Sequence, residues 1–292
     1  MTYRAEILFA ALLTAVVVSG HARADDGNSN PNAQPVLKTH HSARFAGSSQ
    51  IIIYDVRTGQ PTRQTLQGND DTTLADFGTP PMNGVRFDIP VVPGQKQFAR
   101  VEFNDGAVFC SSSVIGKRHL ITAGHCVFDA GSFRRSALVF PGYSAGQAPI
   151  GSFRAARFYT FSGWADSQDY SHDIGVIELE RDLPADVKTL PVMKPERLCG
   201  DGVILGFDRH FYMPAHRDQL VNNGGTYTGC KNRQLFYFLG TPPGSSGSAA
   251  VRQGSTEIYA IRSNFVGPVG YDTWLTPAKL CYITTLVGSP QC

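Results

Sequence analysis

From about Gly84 to the C-terminus, short apolar runs recur with Gly or Pro between them, and several alternate apolar with polar positions. Residues 99–103, 107–115, 154–161, 174–179, 203–207, 234–239, 257–263 and 272–276 have the length and period of strands. No long amphipathic helical pattern interrupts them, which predicts an all-β chain of barrel or sandwich architecture. The exception is 277–287, where Leu280, Ile283, Leu286 and Val287 share one helical face and predict a C-terminal helix.

The first 83 residues follow other patterns. Arg4, an apolar run over 7–18 and the small-residue site Ala22-Arg23-Ala24 predict a secretory signal peptide cut after Ala24. A membrane anchor is the alternative, but the run is too short to span a bilayer comfortably. Residues 25–83 open with a polar stretch lacking a periodic apolar face, then offer one strand at 51–56 and a Thr/Gln/Asp/Gly-rich stretch up to Pro80-Pro81. They read as a propeptide or as an N-terminal extension packed on the domain that follows, 84–292.

Removing residues 1–24 takes out Arg4, Arg23 and Glu6, lowering the formal net charge from +2 to +1. A balance so close to zero predicts neither nucleic acid nor, once the signal is removed, a membrane as partner. Export makes the six cysteines candidates for disulfides. Sequential pairing is the preferred arrangement: Cys110 with Cys126, Cys199 with Cys230, Cys281 with Cys292. A loop the size of the first would contribute roughly 3 kcal/mol through chain entropy.

Three stretches carry candidate chemistry. Gly240-Thr241-Pro242-Pro243-Gly244-Ser245-Ser246-Gly247-Ser248 presents a serine among small residues, where a substrate carbonyl can approach the backbone N–H groups of Gly244 and Ser246. Taken alone it reads as an ordinary Gly/Ser turn, and the rest of the chain has to change that reading. Leu120-Ile121-Thr122-Ala123-Gly124-His125-Cys126 ends an apolar strand in a small turn bearing a histidine. His172-Asp173-Ile174-Gly175-Val176-Ile177 places a carboxylate just before another apolar strand. A serine hydroxyl needs an imidazole to take its proton and a carboxylate to orient that imidazole, and the three stretches supply one of each. His119 and His172 are rivals for the base, Asp166 and Asp169 for the carboxylate, Ser245 and Ser248 for the nucleophile. A metal site is the other use for eight histidines, but no His-x-x-x-His or Cys-x-x-Cys spacing supports one.

ITAGHC, HDIGVIEL and GSSGS, in that order, resemble the signature motifs of the chymotrypsin-like serine proteases. The resemblance covers about 84–290 and implies two antiparallel six-stranded β-barrels with the site between them. It implies His125 as general base, Asp173 as its orienter, Ser246 as nucleophile and the N–H groups of Gly244 and Ser246 as oxyanion hole. Cys110 and Cys126 resemble the family's disulfide around the histidine loop. Ser-Gly-Ser after the nucleophile, Arg157-Phe158-Tyr159 before Ser162-Gly163-Trp164, and Gly206-Phe207-Asp208 resemble the bacterial glutamyl-endopeptidase branch. Thr241 matches a threonine with which that branch holds an acidic substrate side chain. Where the branch has a histidine, Ala260-Ile261-Arg262 puts Arg262, if the loop before it is one residue longer. Its guanidinium is the expected second binder, with Ser263 as a brace for Asp173. The alternative for Arg262 is a side chain turned to solvent at a strand edge.

One departure is plain: Ser245 stands where the commoner frame has an Asp that pairs with the freed N-terminus. Any prosegment must therefore act without that ion pair, although the glutamyl branch lacks it too. The expectation is a secreted, monomeric serine endopeptidase, extracellular or periplasmic, acting on proteins or peptides without metal or cofactor. An inactive homologue binding proteins through the same cleft, and an esterase, are the competing readings.

Overall fold

β-Strands dominate the chain. The computed structural model describes residues 50–66, 87–90, 95–104, 106, 108–193, 200–207, 220–227, 229–231, 234–238, 244–252, 255–266 and 269–292. The strands are β1 (Gln50–Asp55), β2 (Gln60–Thr65), β3 (Phe87–Pro90), β4 (Phe98–Phe103), β5 (Val108–Val114), β6 (His119–Thr122), β7 (Phe128–Asp129), β8 (Ser132–Phe133) and β9 (Ala137–Pro141). They continue as β10 (Phe153–Phe161), β11 (Gly175–Leu179), β12 (Gly200–Phe207), β13 (Leu220–Tyr227), β14 (Gly229–Lys231), β15 (Gln234–Phe238), β16 (Ala249–Arg252), β17 (Ile258–Val266) and β18 (Val269–Trp274). Three α-helices, α1 (Gly124–Val127), α2 (Ser162–Ser167) and α3 (Pro277–Leu286), and a 3₁₀ turn, Tyr170–His172, complete the described elements.

β4, β5, β6, β11, β10 and β9 form an antiparallel barrel that closes through the β10–β11 pairing. Its period-2 pattern works as expected: Ala99, Val101 and Phe103 of β4 are all buried, with the polar positions between them less so. The second sheet contains six strands in the order β15-β18-β17-β16-β12-β13, with β14 and β3 added at its two ends. α3 starts at Pro277, where the missing N–H costs nothing, and buries Leu280 and Ile283.

β1 and β2 lie within the 25–83 segment. β1 runs antiparallel along β10, from Ile51 opposite Phe161 to Asp55 opposite Arg157, on the part of β10 that β9 leaves unpaired. Ile51 and Ile52 are buried there, and Tyr54 stacks on Phe133 at 4.9 Å. Arg63 of β2 meets Asp166 of α2 through two hydrogen bonds of 2.7 and 2.6 Å.

Two of the expected disulfides are present, Cys110–Cys126 and Cys281–Cys292. The pairing of Cys199 with Cys230 lies outside the described residues, as do the signal peptide and Thr241. Among the described residues no helix is long and apolar enough to cross a membrane.

Candidate active site

β6 delivers His125. The strand ends at Thr122, and the chain turns at Ala123 into the single turn of α1, which carries the histidine. Gly124 has to be glycine for space: a Cβ there would lie 2.9 Å from Trp164 Cδ1 and 3.0 Å from Asp173 Oδ1. Cys126 ties this turn to β5 through Cys110. Trp164 of α2 presents its edge to the His125 ring at 6.1 Å, and its indole N–H donates to the Phe128 carbonyl at 2.9 Å.

Asp173 follows a 3₁₀ turn, Tyr170–His172, whose first N–H groups need an acceptor. The Asp169 side chain supplies one, accepting from Ser171 N at 2.8 Å. Thr273 donates to the Tyr170 carbonyl at 2.7 Å, and the buried Lys279 ammonium of α3 donates to that of Ser171 at 2.6 Å. The Asp173 carboxylate is fully buried and meets three donors: the His125 backbone N–H at 2.7 Å, His125 Nδ1 at 2.8 Å and Ser263 Oγ at 2.5 Å. With Nδ1–H donating to Asp173, the imidazole keeps its Nε2 lone pair as an acceptor. Burial pulls the His125 pKa down, but the charge and hydrogen bond of Asp173 outweigh it and leave the group above 6.5.

The brace on Asp173 comes from an irregularity. β17 and β18 pair regularly up to Arg262 opposite Asp272, then shift register, so that Ser263 is the extra residue of a bulge. Bulges re-aim side chains, and here the freed hydroxyl turns to Asp173. The resemblance to the glutamyl branch anticipated the contact; the bulge that makes it was not legible.

Ser246 sits in a loop between Gly244 and Gly247, both at positive φ (98° and 81°). The Ser246 carbonyl accepts from Ser111 N at 2.8 Å, and Gly247 N donates to the Arg262 carbonyl at 2.9 Å, so both sheets hold the loop. Ser245, the residue replacing the usual Asp, is buried, and its carbonyl accepts from the N–H and hydroxyl of Ser248 at 3.0 and 2.6 Å. The turn is thus closed by hydrogen bonds that require no charge. Among the described residues, no backbone hydrogen bond takes the N–H of Gly244 or of Ser246.

Ser111 is a supporting residue that sequence reasoning missed. Its hydroxyl accepts from Phe207 N at 2.7 Å and has the carbonyls of Phe207 and Gly244 each 3.1 Å away, fastening the serine loop to β5 and β12. The available signal was Ser111-Ser112-Ser113, a polar run inside a strand otherwise suited to burial.

His125 and Ser246 line one cavity of about 380 Å³, together with Trp164, Tyr170, Ser245 and Arg262. Arg262 is only 1% exposed, which overturns the alternative of a solvent-facing side chain. Its Nη1 lies 3.4 Å from Asp272 Oδ1. The rival histidines and aspartates are engaged elsewhere. His172 Nδ1 is 3.3 Å from Asp169 Oδ2, His119 sits opposite Glu178 on the barrel wall, and Asp166 is held by Arg63 at the surface.

The model of the trypsin family matches residues 90–264, more than half of the chain. The chain belongs to the trypsin family. Within this family it is similar to the glutamyl endopeptidase of Bacillus licheniformis, 38% identical over 76 residues, a stretch covering 25% of this chain and 24% of that protein. The match thus spans about a quarter of the relative's length. Among solved structures, a Glu endopeptidase in complex with MPD aligns with a TM-score of 0.63 at 21% identity, over 71% of this chain and 98% of its own. The protease Anisep from Arthrobacter nicotinovorans aligns at 0.61 and 19% identity, over 70% and 100%. At such identities these structures speak for the trypsin-family fold and for nothing finer.

Proposed function

We propose that this trypsin-family chain is a secreted serine endopeptidase that hydrolyses peptide bonds after acidic residues through an acyl-enzyme. The observation that carries the reading is a buried Asp173 fixing the His125 tautomer at 2.8 Å, with the imidazole lining the same cavity as Ser246. In the first step Ser246 Oγ attacks the scissile carbonyl carbon while its proton passes to His125 Nε2. Asp173 stabilises the imidazolium by charge and does not take the proton. The oxyanion forms within reach of the N–H groups of Gly244 and Ser246, donors held by the backbone before substrate arrives. His125 then gives the proton to the departing amine, and the C–N bond breaks, leaving an ester on Ser246. Water, deprotonated by the same imidazole, attacks that ester; the acyl C–O bond breaks, the acid leaves, and the imidazolium returns its proton to Ser246 Oγ.

The acidic preference rests on Arg262, a guanidinium in the cavity wall whose planar fork suits a carboxylate, with Thr241 as its proposed helper. The name of the Bacillus licheniformis relative is in keeping with it. Secretion is proposed from the signal-like residues 1–24, and peptides or unfolded proteins are the proposed substrates, with the enzyme acting as a monomer. The test is a peptide library read by mass spectrometry, run beside the Ser246→Ala variant. Cleavage carboxy-terminal to Glu or Asp, absent from the variant, is the expected result. Equal cleavage by both proteins would overturn the reading.

A further inference from the structure

The wall of the cavity carries an opposed pair of charges. Arg262 and Asp272 face each other across β17 and β18, their Nη1 and Oδ1 atoms 3.4 Å apart, with side chains 2% and 0% exposed. Gly270, also on β18, makes room for the guanidinium, since a Cβ there would run into Arg262 Nη1 and Cζ. The arginine is therefore laid against β18, with its counter-ion on the same strand. Such a wall differs from a lone cation awaiting an anion.

We propose that Asp272 is a specificity-determining residue, which limits how strongly the cleft favours acidic over neutral substrate side chains. The inference rests on the reading of Arg262 as the carboxylate receptor. A substrate carboxylate reaching Arg262 meets a cation already compensated, and the attraction it gains is offset by repulsion from Asp272. Discrimination is a difference between two affinities, and a built-in repulsive group lowers it as surely as a missing attractive one. Little water separates these charges, so the offset is only weakly screened. The isosteric amide of glutamine meets no such repulsion. The native enzyme is accordingly expected to prefer Glu to Gln at the cleavage position by only about three- to tenfold, a shallow selectivity for a buried cation. Asp272 acts through Arg262 and has no part in the chemical step.

The experiment uses paired peptides differing only in Glu or Gln at the cleavage position. Each enzyme is titrated with a fluorophosphonate, so that only competent sites are counted. Asp272→Asn keeps the shape and removes the repulsion. Its Glu/Gln ratio of kcat/KM is expected to rise at least about tenfold over the native ratio, with the Gln peptide changing far less. A ratio that stays within about twofold of native, or falls, overturns the proposal. Removing one member of a buried pair strains folding, so a second variant, R262Q/D272N, removes both charges together. This variant is expected to lose the native preference and bring the ratio to about one; a native-like ratio in it overturns the proposal. Failure of the native protein to titrate at all would instead overturn the proposed function, and this inference with it. Titration with unchanged ratios would leave Ser246 standing and remove Asp272 alone.

Discussion

Ser263, carried by the second sheet, donates its hydroxyl at 2.5 Å to Oδ2 of Asp173, the same oxygen that faces His125 Nδ1 at 2.8 Å. The carboxylate that orients the histidine is thus itself held from across the interface between the sheets. Replacing Ser263 with Ala leaves a buried carboxylate one donor short, and a hydrogen bond to a charged group contributes about 1.5–3 kcal/mol. Turnover of a small ester is expected to fall by about ten- to a hundredfold. The check is kcat per titrated site, with the far-ultraviolet spectrum unchanged.

The pH dependence follows from His125. Only neutral imidazole accepts the serine proton, so kcat/KM should rise with pH through a single ionisation above 6.5, because Asp173 raises that pKa against the effect of burial. The linked stability runs the other way. A raised folded-state pKa contributes stability fully below the unfolded value and loses it as pH climbs through the folded one. Activity should therefore appear over the interval in which that contribution disappears. Asp173→Asn should lower kcat by about 10⁴-fold. A pH–rate profile on an ester substrate checks both, and a loss under about tenfold would assign the orienting role to another carboxylate.

Asp169 gives a second, acid-side prediction. Burial pushes its carboxyl up, but His172 and the Ser171 N–H outweigh this and hold the pKa down at about 2. Its contribution to stability is present above the unfolded value of 3.8 and is lost as pH falls through about 2. Asp169→Asn should flatten the acid limb of a Tm–pH curve between those values.

Gly247 adopts φ 81°, and a Cβ there would run into Thr122 Oγ1 and the Ser111 carbonyl. Gly247→Ala combines left-handed backbone strain with overpacking, about 2–5 kcal/mol together. Loss of probe labelling with a lowered Tm is the expected outcome, measured by denaturation and labelling in parallel.

Processing is constrained by β1. Ile51 packs into the hydrophobic core and Ile52 beside it is also buried, and each fully buried isoleucine is worth about 1.5–3 kcal/mol. The active species is expected to retain Gln50–Leu66, with any cleavage upstream of it, and a chain begun at Gly84 should be markedly less stable. N-terminal sequencing of secreted active protein decides between these.

Much of the site was legible because its signals are local. ITAGHC and HDIGVIEL each join a polar residue to an apolar strand; those strands are β6 and β11, the latter within a residue of its expected limits. α3 was legible for the same reason. The supports were not, because they depend on partners far apart in the chain. Ser111 reaches Gly244 across 133 positions, and Ser263 reaches Asp173 across 90. The pairing of Arg262 with Asp272 depends on strand register, which alternation alone does not fix. Residues 51–56 were expected as a strand, yet nothing local showed that β10 had an edge for them to cover.

The central claim is that Ser246 is the nucleophile, activated by His125. Treating the protein with a fluorophosphonate and mapping the adduct by peptide mass spectrometry tests it most directly. One phosphonyl group per chain on Ser246, lost in Ser246→Ala and strongly slowed in His125→Ala, is the predicted result. An adduct on Ser245 or Ser248, or labelling as fast without His125 as with it, would contradict the account.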